Sequence, residues 1–137
     1  MEISDIVRRN LEVLPFFDKD RDSIVVDERH GIIKIGYLTS QVGIPDGTTH
    51  FFMQIEELGE GKVAYLVQIE LDENKKGLGL GEKMYKSIED IARELGCNIL
   101  RQHASGWTFR GEPRENYLIR RGYRKVPNCI EIEKVLQ

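Results

Sequence analysis

The chain has 137 residues, 40% of them hydrophobic and 31% charged, with a formal net charge of -3. That is one domain's worth of ordinary globular sequence, and no apolar run approaches the roughly 20 residues needed to cross a bilayer. The acidic balance argues against general nucleic-acid binding, and the start, MEISDIVRRNLEVL, is acidic where a secretion signal would be basic, so a cytoplasmic setting is expected. The two cysteines, Cys97 and Cys129, sit in apolar runs outside any CxxC pair and read as buried thiols.

In chain order, Ile3, Ile6, Val7, Leu11 and Leu14 keep helical spacing, with Ser4 or Asp5 as the cap and Pro15 as the stop. Four strands follow in SIVVDER, GIIKIGYL, HFFMQIEEL and KVAYLVQIEL, divided by the turn signals RHG, VGIPDGT and GEG. Such short connections predict antiparallel pairing. A second helix carries the apolar stripe Leu80, Met84, Ile88, Ile91, Ala92 and Leu95, ends at Gly96, and offers Glu82–Lys86 and Glu89–Arg93 as pairs on its wet side. CNILRQHAS is a further strand, PRENYLIRR a short helix between Pro113 and Gly122, and YRKV and CIEIEKVL are closing strands. The order is α, four β, α, β, α, β, β, an α+β arrangement with no internal repeat.

KKGLGLGEKMY, residues 75–85, places glycines at 77, 79 and 81 between the fourth strand and the second helix. Bare backbone costs conformational entropy, so something must need it there. Helix-start amides lack intrahelical partners and carry partial positive charge, which makes a glycine-lined approach an anion site. The bland alternative is a tight turn packed closely for its own sake. Two familiar phosphate loops fail: GxxxxGK[ST] would need Lys and Ser/Thr where Glu82 and Lys83 stand, and GxGxxG lacks its third glycine.

KGLGLG, Lys76 to Gly81, after IELDEN resembles the [QR]-x-x-G-x-[GA] signature of the GCN5-related N-acetyltransferases, the GNAT family, with Lys at its first position. The order of elements agrees along nearly the whole chain, save an N-terminal strand and a second early helix. The resemblance implies a GNAT-like fold over residues 1–137, a single acyl-CoA-binding domain with a mixed, mostly antiparallel sheet and helices on both faces. It implies acetyl-CoA as cosubstrate, with the diphosphate held by Lys76, Gly77, Leu78, Gly79, Leu80 and Gly81, and the pantetheine arm paired with the main chain of Ile69 and Leu71. Farther on, LRQHAS resembles the family's R-A-S-N strand end and YLIRRGY its F-Y-x-x-x-G-F helix end. There Leu118 stands at the family's catalytic tyrosine, Tyr117 one position earlier, Arg101 at the glutamate some members use, and Gly106 at the asparagine.

Acetyl transfer to an amine needs the amine neutral, and a lysine-like amine has a pKa of about 10, so a base is required. Glu70 is the first candidate, on the strand entering the glycine turn beside Gln68; a solvent-facing charge is the alternative. Tyr117 is the second catalytic candidate, although a one-residue shift turns a helical side chain by about 100° and favours a core aromatic. His103 and His50 come next, then Glu56 and Glu57. No His, Cys or carboxylate spacing suggests a metal site.

From Arg110 to Lys125 six basic residues stand against two acidic ones. Lys75, Lys76 and some of Arg110, Arg114, Arg120 and Arg121 therefore become candidates to screen the phosphates of CoA, the alternative being a solvated helix face. Trp107 and Phe109 either line a substrate mouth or pin their loop to the core, the second being favoured. Three readings stay open: an N-acetyltransferase acting on an amine-bearing small molecule or peptide, a CoA-binding module without turnover, and, last, a nucleic-acid contact through the basic segment. A homodimer through CIEIEKVL follows from family analogy alone.

Overall fold

The structure is a computed structural model of the whole chain; it describes residues 2–40, 49–59, 61–72, 76–108 and 110–136. Its elements are α1 (Ile3–Leu11), β1 (Ser23–Arg29), β2 (Ile32–Leu38), β3 (His50–Leu58), β4 (Gly61–Glu70), α2 (Leu80–Glu94), β5 (Ile99–His103), α3 (Arg114–Arg120), β6 (Arg124–Lys125) and β7 (Glu131–Val135). This is the expected order, element for element. One seven-stranded sheet runs β1-β2-β3-β4-β5-β7-β6, antiparallel throughout except for the β4–β5 pair. The turn expected at 42–48 lies outside the described residues.

Local chemistry accounts for most boundaries. His30 and Gly31, both at positive φ, close a two-residue hairpin between β1 and β2, the turn whose twist suits paired strands. Gly96, at φ +85°, ends α2: its amide donates to Arg93 and the amide of Cys97 to Ala92, a Schellman stop. Helix α1 starts earlier than expected. Its N-cap is Glu2, with no side-chain cap bond, rather than Ser4 or Asp5.

Residues in register share a sheet face, so Ile35, Met53, Leu66, Gln102 and Ile132 form one row. Against that face pack Val7 and Leu11 of α1 and Met84, Ile88 and Ile91 of α2 in a single core with Tyr37, Phe51, Leu100 and Leu118. Tyr117 and Arg121, in and just after α3, reach α2 as well. The opposite face carries Val25, Lys34, Gln54, Tyr65 and Arg101, the last tied to buried Glu133.

Several charges sit elsewhere than helical spacing suggested. Lys86 pairs with Asp90, not Glu82, and Arg93 also takes Asp90. Glu89 is only 2% exposed and accepts from Arg121 at 2.8 Å, Tyr123 at 3.0 Å and Lys134 at 3.2 Å; its three cationic and phenolic partners hold it on the buried side. Cys97 is buried as expected, but Cys129 is exposed, because β7 begins only at Glu131 and the start of CIEIEKVL belongs to the preceding turn. The sheet edge on that side is the two-residue β6.

These environments predict a sensitivity to alkali. Burial pushes the Cys97 thiol up from 9.0 to about 11, and burial, with Asp22 and Glu89 as respective neighbours, raises the phenols of Tyr37 and Tyr123. A group whose pKa rises on folding stabilises the fold fully below its unfolded value and loses that contribution as pH climbs toward the folded one. Urea midpoints should therefore fall as pH rises from about 9 to 11. A midpoint unchanged over that window would refute these environments.

Candidate active site

The site begins where the sheet splits. β4 and β5 pair only from Val63–Ile99 to Leu66–Gln102. At the next residue the β3–β4 register slips, Met53 facing Leu66 but Phe52 facing Gln68, so Val67 is an extra residue on β4. A bulge bends and twists its strand, and beyond it Gln68, Ile69 and Glu70 run on beside β3 with no strand on the β5 side among the described residues. Backbone groups on such an edge need partners from elsewhere.

The free edge leads straight to the glycine turn. Just past it, buried Asp72 and Thr49 clamp the chain, the threonine hydroxyl donating to the carboxylate at 2.5 Å and accepting from the Asp72 amide at 3.1 Å. Gly77 and Gly79 take positive φ, 80° and 76°, a conformation that side chains resist. Gly79 is the N-cap of α2, and no side chain caps the helix start. Gly81 has a packing reason instead, since a Cβ there would press on Leu71 at 3.3 Å. Amides, a fifteen-residue helix dipole and bare backbone therefore converge.

A cleft of about 620 Å³ opens over this junction. Its lining joins the β4 end and glycine turn, Ile69, Glu70, Leu71, Lys76 and the three glycines, to the later segment, with Trp107, Arg110, Glu112, Arg114, Tyr117 and Arg120. A second cleft of about 430 Å³ lies in the β4–β5 gap, lined by Leu66 to Ile69, Arg101, Gln102 and His103, and Arg114 borders both.

A family model for the acetyltransferase (GNAT) family matches residues 8–107. The chain belongs to the GNAT acetyltransferase family. No curated protein matches the sequence. Among solved structures, a protein classed as an acyl-CoA N-acyltransferase from Klebsiella pneumoniae aligns at 17% identity and TM-score 0.50, over 97% of this chain and 88% of that one. One classed as a GNAT-family acetyltransferase from Desulfovibrio desulfuricans does so at 17% and 0.50, over 98% and 92%. At such identities the likeness is one of fold. The PaiA N-acetyltransferase of Thermoplasma acidophilum, in complex with coenzyme A, aligns at 14% and 0.47 over 77% of this chain, which spans 61% of that one.

Within this GNAT fold the residues singled out from sequence fall into three groups. Ile69, Leu71, Lys76, Gly77, Gly79 and Gly81 all line the first cleft, as does Glu70. Leu80 opens α2, and Leu78, 67% exposed, stands in the turn between them. Lys75 and Phe109 lie outside the described residues. Tyr117 lines the cleft rather than the core alone: its hydroxyl donates to Glu82 at 2.6 Å while its ring meets Tyr85. That hydrogen bond, with Arg121 adding to it, holds the Glu82 carboxyl below its usual range, and burial together with Glu82 raises the Tyr117 phenol. Leu118, which the resemblance sets at the family's tyrosine, is fully buried.

Of the alternative bases, one neighbours Glu70 and the others are placed apart. His50 faces Glu70 across the β3–β4 ladder and packs on Phe52, His103 ends β5 in the second cleft, and Glu56 and Glu57 lie toward the far end of β3. Among the described residues, no group of three or more His, Cys, Asp or Glu side chains is arranged to hold a metal.

Two expectations about the late segment change. Of its six cations, Arg120 pairs with Glu112, Arg121 with Glu82 and Glu89, Arg124 with Glu133 and Lys125 with Glu115. Arg110 and Arg114 line the cleft with no carboxylate partner among the described residues, so most of the segment's positive charge is paired rather than free. Trp107 is not pinned to the core. It is 67% exposed at the cleft wall, because its loop is held by backbone bonds instead. Sequence reasoning missed the Val67 bulge, the Thr49–Asp72 clamp and the Glu89 cluster; only the charge of Glu89 in a helical stretch hinted at any of them.

Proposed function

We propose that this GNAT protein transfers an acetyl group from acetyl-CoA to the amine of a small molecule or peptide, by direct attack in a ternary complex. One observation carries the reading: a strand edge with no neighbour among the described residues runs into a glycine-lined helix start with no side-chain cap bond, within a single cleft. An amide-bearing arm ending in a diphosphate suits that sequence of groups. Ile69 and Leu71 would hold the pantetheine by main-chain pairing, and Leu78, Gly79, Leu80 and Gly81 would present amides to the diphosphate with Lys76 beside them. Bound there, acetyl-CoA supplies the activated acyl group. A cytoplasmic setting is part of the proposal.

The chain's own work is with protons. Glu70, its side chain 49% exposed and 3.9 Å from Lys76, would take the proton of the incoming amine. Tyr117 is protonated at neutral pH, its phenol being raised, and would donate a proton only when Glu82 releases its hydroxyl. Burial of Leu118 where the family places its tyrosine favours one other reading, binding of an acyl-CoA without turnover.

A thermal-shift series with CoA, acetyl-CoA, ATP and NAD tests the site. Only the CoA species should stabilise, by about 10 °C at a hundredfold excess over Kd. Thiol release on a panel of amines then separates enzyme from binder. Glu70→Gln should lower turnover by about 100-fold or more, most of all at pH values where the amine is still protonated; equal turnover at every pH removes Glu70 from the role.

A further inference from the structure

We infer that Trp107 is a stacking platform for the adenine of the CoA nucleotide, so that the β5–α3 loop recognises the base while the glycine turn holds the diphosphate. The inference rests on the CoA reading of the cleft. Trp107 is the chain's single tryptophan, and its indole, 67% exposed within the cleft lining, offers an open face to a flat partner.

Its loop is built to present it. The Trp107 and Pro113 backbones form a bridge. The Arg114 amide donates to Gly106 and the Thr108 amide to Glu112, at 3.0 and 2.7 Å, and the Gly111 amide donates back to Thr108. The Thr108 hydroxyl also accepts from the Glu112 amide at 3.2 Å. The described loop residues on either side of the ring are thus tied by backbone bonds while the ring is left open to the cleft, a geometry that costs little to bind against.

Neighbouring charge narrows the ligand. Arg110 and Arg114 line the same cleft as Trp107 and the glycines, and neither has a carboxylate partner among the described residues. An exposed ring in a cleft that also holds free cations suits an aromatic base bearing phosphate, and CoA carries a 3′-phosphate on its adenosine.

The sole tryptophan is its own reporter. Its emission should be quenched by acetyl-CoA and by adenosine 3′,5′-bisphosphate but not by 4′-phosphopantetheine, which lacks the base. Trp107→Ala should weaken acetyl-CoA about tenfold and leave 4′-phosphopantetheine unchanged by calorimetry, while Trp107→Phe keeps most of the affinity. Acetyl-CoA that stabilises the protein without moving the emission, equal quenching by phosphopantetheine, or equal binding by Trp107→Ala would overturn the platform and leave the CoA site standing. If acetyl-CoA does not bind the wild-type protein at all, the reading of the cleft falls and the platform falls with it.

Discussion

Glu89→Leu will remove about 3 to 5 kcal/mol of folding stability, the largest loss expected of any single change among the ion pairs described here. The carboxylate is 2% exposed and holds Arg121, Tyr123 and Lys134 together. Leucine fills the space but leaves Arg121, whose side chain is 10% exposed, without its buried counter-charge. Glu82 still reaches that guanidinium, but from a largely exposed position where water screens it. Against a total stability of about 5 to 15 kcal/mol, the deficit is a large share. Urea denaturation followed by circular dichroism measures it, and a loss below about 1 kcal/mol would show that the cluster is incidental. Adding Arg121→Leu should recover part of the deficit, since removing both charges is cheaper than stranding one.

Gly79→Val will weaken acetyl-CoA binding by about a hundredfold, close to 2.7 kcal/mol. At φ +76° valine is strained even though the space around the position is open, and relief of the strain must turn the helix-start amides out of line. Strain alone also lowers stability, so the comparison is with Gly31→Val. That position has φ +78° and equally open surroundings, but it sits in the β1–β2 hairpin away from the cleft. Both variants should unfold more easily; only Gly79→Val should lose the ligand in calorimetry. Equal affinities for the two would mean that the glycine turn serves packing and not binding.

Much of the architecture was legible because it rests on local rules. β-branched runs broken by His30-Gly31 or ended at Leu58-Gly59 leave few choices for strand boundaries, and the stop at Gly96 is chemistry that any reader of the sequence can check. The glycine turn was legible for the same reason: three glycines before an amphipathic helix restrict what the backbone does. What escaped depends on pairing between distant segments. The slip at Val67 exists only against β3, and nothing in VAYLVQIEL marks which residue is surplus. Helical spacing alone put Glu89 on the wet side; Arg121, 32 positions later, brings it in. Trp107 was misplaced because aromatic side chains are usually ballast for a core, whereas its loop is secured by peptide groups.

The parting of β4 from β5 after Leu66 bears on what the molecule is when its guest arrives. A sheet interrupted in mid-course leaves peptide dipoles that water must serve in the meantime. On the proposed reading, an arm rich in amides laid along that margin would act as a surrogate strand and mend the seam. Ligation and the completion of the architecture would then be one event, and the protein should be measurably stiffer across its middle whenever it is loaded.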